Sequence, residues 1–214
     1  GVAYNPAEDS LKAPTGVLSF LTHPAILLMF LFYLTSTLSQ NAIQSFGNSA
    51  IIAIFPVDLI LANGALAAYM WGITIGVLSG GIVADRMGRL DIVASGAYVI
   101  AAALLCLIAF GVLNFISVAA ALFFTGFMVG VVMPARDIMV KSITPAGATG
   151  KAFGFVSSAF GLGGTIGPAI YATLMDMGMP QGIFIGAAIM MLVAIGFALA
   201  STAVGRRMIR AQSA

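Results

Sequence analysis

Six long apolar runs, separated by short segments rich in proline, glycine and charge, make up most of the chain. Each run is about twenty residues long, which is the length that an α-helix needs to cross the hydrocarbon core of a bilayer. Strands of a transmembrane barrel would instead alternate over segments of about ten residues. The pattern therefore predicts six membrane-spanning helices, at about residues 25–47, 59–83, 92–113, 115–139, 152–175 and 182–204.

The composition excludes a soluble domain. Hydrophobic residues make up 61% of the chain and charged residues only 7%, whereas a soluble domain carries about 25% charged residues. A soluble fold of this length would have too few polar side chains to cover its surface. The predicted fold class is therefore all-α, a polytopic membrane protein with six transmembrane helices.

The basic residues predict which side of the membrane each helix end faces. With six spans, all nine Lys and Arg residues fall on one side, and loops rich in these residues stay in the cytoplasm. The opposite loops contain Asp58 and Asp176 and no basic residue. Both termini are thus expected in the cytoplasm, with a linker at 1–22, a transmembrane domain at 23–205 and a basic tail at 206–214.

The first span has one polar face. Tyr33, Thr37, Gln40 and Gln44 recur at helical spacing, and Asn41 lies beside them. Amide groups are costly against lipid, so this face should meet protein or water. Two interpretations stay open: hydrogen bonding between helices, or the wall of a cavity that binds a solute.

Two further side chains extend the set of cavity candidates. Trp71 falls near the middle of the second span, where packing is the alternative interpretation, and Thr125 lies in the fourth span. The complete set of substrate-cavity candidates is Tyr33, Thr37, Gln40, Asn41, Gln44, Trp71 and Thr125.

The fifth span is rich in glycine and contains one proline. Small residues four apart let helix backbones approach closely, and proline removes a backbone donor and favours a kink. The span therefore serves either tight static packing or a pliable helix that moves during transport. The residues predicted for packing or hinge motion are Gly161, Gly164, Gly167 and Pro168.

The fourth span ends in an adjacent pair of opposite charges, Arg136 and Asp137. Neighbouring residues project in different directions from a helix, so we expect separate partners for the two side chains. One interpretation is an interfacial pair whose charges reach up to water. The sharper one is a cytoplasmic latch or a charge that faces the solute.

Catalytic chemistry and nucleic-acid binding are not expected. The chain has one His and one Cys, with no metal-ligand cluster and no nucleophile paired with a base. His23 is interpreted as an interfacial residue and Cys106 as a buried thiol. No basic patch interleaved with aromatic residues indicates a nucleic acid as partner.

The loop after the second span, GGIVADRMGRLDIV, concentrates charge and glycine. Gly80 and Gly81 are predicted to allow close helix packing, and Gly88 a tight turn with positive φ. Asp85 could accept hydrogen bonds from the amino end of a nearby helix. An ordinary cytoplasmic loop would explain the arginines but neither Asp85 nor the interleaved glycines.

This loop resembles the signature loop of the major facilitator superfamily, whose pattern is G-x-x-x-D-R/K-x-G-R-R/K. The matching residues are Gly81, Asp85, Arg86, Gly88 and Arg89. Leu90 and Asp91 depart from the pattern, as in the weaker copy of the loop in the second half of such transporters. The segment 144–178, with Gly167-Pro168, also resembles the penultimate helix of that family.

The resemblance implies half of a twelve-helix carrier, here the carboxyl-terminal half, built as two inverted three-helix repeats. Spans one and four would line a central cavity, spans two and five would flank the other half, and spans three and six would lie outside. The amino-terminal half, on the same polypeptide, the lipid bilayer and a small solute are the implied partners. The charged loop would latch one conformation.

We therefore expect secondary active transport by alternating access, in the bacterial inner (plasma) membrane. No cofactor is expected beyond a coupled proton or other ion. No Asp or Glu lies in the middle of a span, so a proton carrier would be in the other half or would be Asp137. The alternatives are a scaffold that does not transport, or a stand-alone half that dimerises into a carrier.

Overall fold

The computed structural model describes residues 24–86, 88–144 and 147–212, with side chains as far as residue 204. The predicted linker at 1–22, His23 and the side chains of the basic tail lie outside this part. The described residues form six α-helices: α1 Pro24–Ile54, α2 Leu59–Arg86, α3 Leu90–Ala109, α4 Phe115–Ser142, α5 Thr149–Asp176 and α6 Gln181–Gln212.

All six helices contain a stretch long and apolar enough to cross a membrane. The expectation of an all-α, six-helix membrane fold is therefore confirmed. The structure also corrects the boundaries. α1 does not stop at residue 47 but continues to Ile54, since nothing in that stretch breaks a helix before Pro56. A residue that precedes proline is disfavoured in the α conformation, so the helix ends just before Phe55.

α3 ends at Ala109, four residues before the predicted end. The backbone N–H groups of Phe110 and Gly111 bond to carbonyls of the last helical turn, at Cys106 and Ile108. Gly111 has a φ of 64°, a left-handed conformation that glycine adopts at little cost. The helix therefore ends in a glycine cap that the apolar pattern did not reveal.

Consecutive helices run in opposite directions. α2 and α4 are parallel, since Gly72 lies against Phe123 and Gly80 against Val131. α1 and α6 are antiparallel, since the Ser39 hydroxyl in the middle of α1 donates to the Ala187 carbonyl, while Ser201 donates to Ala25 in the first turn of α1. One end of the bundle, called the basic end below, therefore collects the described basic residues Arg86, Arg89, Arg136, Lys141 and Lys151.

The helix contacts repeat when the first three helices are exchanged with the last three. α2 packs along α4, and its counterpart α5 packs along α1. α1 packs along α6, as α4 packs along α3, and α3 and α6 pack against each other. Because α1 and α4 run in opposite directions, the two three-helix units are inverted repeats.

A seam of glycines joins α2 to α4. A methyl group on Gly76 would lie 2.2 Å from the carbonyl oxygen of Phe127, and one on Gly72 would lie 2.1 Å from that of Phe123. A methyl group on the facing residue Gly130 would lie similarly close, 2.3 Å from the carbonyl oxygen of Ile73. The two backbones are thus in direct contact, and no side chain larger than hydrogen fits between them. This glycine seam consists of Gly72, Gly76, Gly80, Gly126 and Gly130.

Candidate functional site

Three of the predicted polar side chains of α1 bond to its own backbone or to α5. The hydroxyl of Thr37 donates to the Tyr33 carbonyl at 2.8 Å, and the Gln40 amide donates to the Ser36 carbonyl at 3.3 Å. Asn41 instead donates to the carbonyl of Gly163 on α5 at 3.2 Å. Of the two interpretations left open by the sequence, hydrogen bonding between helices is therefore observed at Asn41.

Four side chains from α1, α4 and α5 form a charged aromatic cluster, consisting of Tyr33, Arg136, Asp137 and Phe160. The Tyr33 hydroxyl donates to Oδ1 of Asp137, and Nε of Arg136 lies 3.4 Å from the same oxygen. The Arg136 guanidinium carbon lies 4.4 Å from the centre of the Tyr33 ring and 5.1 Å from that of Phe160. The cluster therefore ties the end of α4 to both α1 and α5.

This geometry overturns the prediction of separate partners for Arg136 and Asp137. The two side chains pair with each other, and the Arg136 guanidinium also lies over the Tyr33 ring. Arg136 also does not reach up to water as an interfacial residue would, since it is only 7% exposed. Aromatic faces attract a guanidinium through their quadrupole and offset part of the cost of burying it.

The two charges of the cluster differ in their exposure. The side chain of Asp137 is 51% exposed and that of Arg136 only 8%. The cluster lies about 14 Å from the start of α1, because Tyr33 is nine residues beyond Pro24 and each helical residue adds about 1.5 Å. The carboxylate thus faces the surface of the chain, and the guanidinium lies behind it, inside the helix bundle.

Nη1 of Arg136 is buried and has no hydrogen-bond partner among the described residues. A buried donor without an acceptor costs free energy, and more so when it carries charge. An ionisable side chain buried within a membrane helix is by default a candidate functional residue. The cluster is therefore the candidate functional site of this chain.

The remaining cavity candidates lie apart from the cluster. Thr125 is fully buried and donates to the Ala121 carbonyl at 2.8 Å, so a solute cannot reach it in this conformation. Trp71 is 65% exposed on α2. Gln44 is exposed on α1 and Gln40 is partly buried. As contacts for a solute these residues stay predictions.

The glycines of α5 face two different directions. A methyl group on Gly163 would lie 2.8 Å from the methyl group of Thr37, and one on Gly167 would lie 3.1 Å from Cβ of Asn41. A methyl group on Gly161 or on Gly164 would have no other atom of the described chain within 4 Å. Gly163 and Gly167 therefore pack α5 onto α1, while the predicted packing role of Gly161 and Gly164 has no counterpart within this chain. Pro168 lies within α5, which remains continuous.

We expect Gly163→Ala to destabilise the protein by about 1 kcal/mol, because Thr37 has to move away from the new methyl group. Gly196→Ala on α6 adds the same methyl group where no other atom lies within 4 Å, so it should be neutral or slightly stabilising through its higher helix propensity. The measurement is thermal unfolding of both variants in detergent. Equal melting temperatures for the two variants would contradict the assigned α1–α5 contact.

The charged loop differs from its prediction in two details. Gly80 packs closely, since a methyl group on it would lie 2.7 Å from Cα of Val131. A methyl group on Gly81 would have no other atom within 4 Å. Gly88 does not have the predicted positive φ, which among described glycines occurs at Gly111, Gly147 and Gly178. Close packing at the end of α2 is therefore due to Gly80 alone.

Arg89 pairs with Asp91, and the sequence reasoning missed this contact. Nη2 of Arg89 lies 3.8 Å from Oδ2 of Asp91. Asp91 is buried in the first turn of α3, where the helix dipole favours a carboxylate. Asp85 and Arg86 are exposed and have no ion pair with other described residues. The loop therefore presents exposed charges at the basic end.

Comparison with known proteins identifies the family to which the chain is similar. The family model described as Major Facilitator Superfamily matches residues 17–210, nearly the whole chain. No curated protein matches the chain significantly. In the part of the chain that the structure describes, no three His, Cys, Asp or Glu side chains are grouped so that they could hold a metal ion.

Proposed function

Because the chain belongs to the Major Facilitator Superfamily, a family of membrane transporters, we propose that it forms one half of a secondary active carrier for a small solute. The observation that carries this proposal is the charged aromatic cluster. Asp137 is half exposed although residues 115–135 of its helix carry no charge. A carboxylate in a membrane helix is costly against lipid and is tolerated where it faces water, protein or a solute.

The other half of the carrier is proposed to cover the exposed sides of α2 and α5. These two helices are the least buried in the chain, and Gly161 and Gly164 leave room for a close neighbour. An amino-terminal six-helix half on the same polypeptide fits this surface. Rocking of the two halves would then expose the site to each side of the membrane in turn.

The basic end of the bundle is proposed to face the cytoplasm of a bacterium, with the protein in the inner membrane. The described basic residues lie at this end, while Asp58 and Asp176 lie at the opposite end. The positive-inside rule supports this orientation. Both termini of the chain would then be cytoplasmic.

Asp85 and Arg86 are proposed to latch the conformation that is closed toward the cytoplasm, through contacts with the other half. We expect Asp85→Asn in the full-length protein to lower the transport rate by about tenfold, the effect of losing one charged hydrogen bond in a single state. Transport rates and the distance between spin labels on the two halves measure the effect. Unchanged rates together with unchanged distances would rule out a latch at this position.

Transport itself is tested with the full-length protein in proteoliposomes. A panel of organic anions, cations and neutral solutes is offered with and without an imposed proton gradient. A carrier accumulates at least one class, and dependence on the gradient identifies proton coupling. Absence of transport for all solutes would favour the scaffold alternative, and the mass of the denatured polypeptide distinguishes a twelve-helix chain from a dimer of six-helix chains.

A further inference from the structure

We infer that Arg136 binds an anionic oxygen group, a carboxylate or a phosphate, of the transported solute. The inference rests on the proposed transport function and adds the chemical class of the substrate. It starts from the unused donor, Nη1 of Arg136, which is buried without a partner among the residues described. The side chain that carries it is 92% buried, since its exposed fraction is 8%.

Asp137 does not use up the charge of Arg136. The pair has a single contact, from Nε to Oδ1, at the long distance of 3.4 Å. The same carboxylate oxygen also accepts the Tyr33 hydroxyl, and half of the Asp137 side chain is exposed to the surroundings. A guanidinium has five N–H donors, and strong pairs with carboxylates use two of them side by side. Arg136 therefore retains binding capacity.

Two aromatic rings stack near the Arg136 guanidinium, so a ligand would approach the N–H groups along its edge. The Tyr33 and Phe160 rings lie close to the guanidinium carbon. A cation over a ring face leaves its N–H donors in the plane of the guanidinium. A group with two or three oxygens on one atom matches this arrangement, whereas an ammonium group would be repelled.

The position of the cluster suits a site that opens during transport. Phe160 is 39% exposed and Asp137 lies at the surface, so a modest movement of α5 relative to α4 would uncover Nη1. α4 and α5 make few contacts with each other in this conformation. Movement between them therefore costs less than movement along the glycine seam.

The oxygen group that binds Arg136 could belong to a solute or to an acidic side chain of the other half. Offering the protein free anionic solutes distinguishes these two sources. We expect the full-length protein in proteoliposomes to transport a carboxylate or phosphate ester from the panel, with benzoate, lactate and glycerol phosphate as probes. Benzamide and benzylamine, which match benzoate in shape but lack its charge, should be transported at least about tenfold less well.

Arg136→Gln tests the residue directly, with Lys141→Gln as its matched control. Lys141 is a basic, exposed residue on the same helix. We expect Arg136→Gln to raise KM for the anion by about tenfold or more, and Lys141→Gln to leave it unchanged. Because Arg136→Gln alone could fail to fold, the double variant Arg136→Gln with Asp137→Asn removes both charges and should give the same loss of anion transport.

Each outcome decides between the possibilities. Anion transport that is unaffected in a folded Arg136 variant, or transport of cations or neutral solutes alone, would overturn the anion site and leave the carrier function intact. Transport of no solute by the wild type would overturn the carrier function itself. Anion transport that depends on Arg136 but not on Lys141 supports a solute as the source of the oxygen group, rather than the other half.

Discussion

Gly76→Leu is expected to abolish the folded protein. The glycine seam brings the backbones of α2 and α4 so close that even a methyl group at this position would lie 2.2 Å from the Phe127 carbonyl oxygen. Backbone atoms cannot rotate away as side chains do, so the two helices would have to separate along their length. We expect Gly76→Ala to cost at least about 3 kcal/mol, the upper part of the range for overpacked cores.

The matched control is Gly96, which lies on the outer helix α3 and has no neighbouring atom within 4 Å of the point where a methyl group would stand. Gly96→Leu and Gly96→Ala should leave folding unchanged, because the added groups meet no other helix of the chain. Size-exclusion chromatography of detergent extracts measures the folded fraction, and thermal unfolding measures the stability of the alanine variants. Normal yields of Gly76→Leu would show that α2 and α4 are not in contact as described.

The sequence contained the signal for this seam, although close packing on α2 was predicted only at Gly80, which belongs to the seam, and at Gly81, which does not. Gly72, Gly76 and Gly80 recur at intervals of four, which is the spacing of the small residues that join membrane helices. The chain has 25 glycines, so spacing alone does not identify which of them face a neighbouring helix. Contact geometry decides this, and it separates Gly163 from its neighbour Gly164 in the same way.

The number of helices could be predicted because membrane spans need long apolar runs, and every run supplied one. The helix ends were harder to predict, because they depend on local hydrogen bonds. α4 begins at the predicted residue, Phe115, and the side chain of Asn114 before it accepts from the Ser117 N–H at 2.9 Å. The glycine cap after α3 and the extension of α1 to Ile54 have no comparable signal in hydropathy.

The candidate site could be predicted only in part. Tyr33, Arg136 and Asp137 were each selected from the sequence, because polar groups are rare in apolar spans. Their assembly into one cluster depends on α1, α4 and α5 converging at the basic end, which spacing along a single helix cannot show. Phe160 carries no polar group and was missed for that reason, although its ring lies 5.1 Å from the Arg136 guanidinium.

The charged pair should show strong coupling in a double-mutant cycle. Asp137→Asn leaves the buried Arg136 guanidinium without its counter-charge, although asparagine can still accept the Tyr33 hydroxyl. Removing one partner of a fully buried pair costs about 3–5 kcal/mol. Because half of the Asp137 side chain is exposed, its charge is partly screened by the surroundings. We therefore expect Asp137→Asn to lower the free energy of unfolding by about 1–2 kcal/mol.

Neutralising both residues, by Arg136→Gln with Asp137→Asn, should restore most of this loss, because no buried charge then remains unpaired. The double variant should therefore melt at a higher temperature than Asp137→Asn alone, despite carrying one more substitution. Thermal unfolding of wild type, both single variants and the double variant in the same detergent measures the coupling free energy. If the two losses simply add, Arg136 does not depend on Asp137, and its charge is balanced by the aromatic rings or by water.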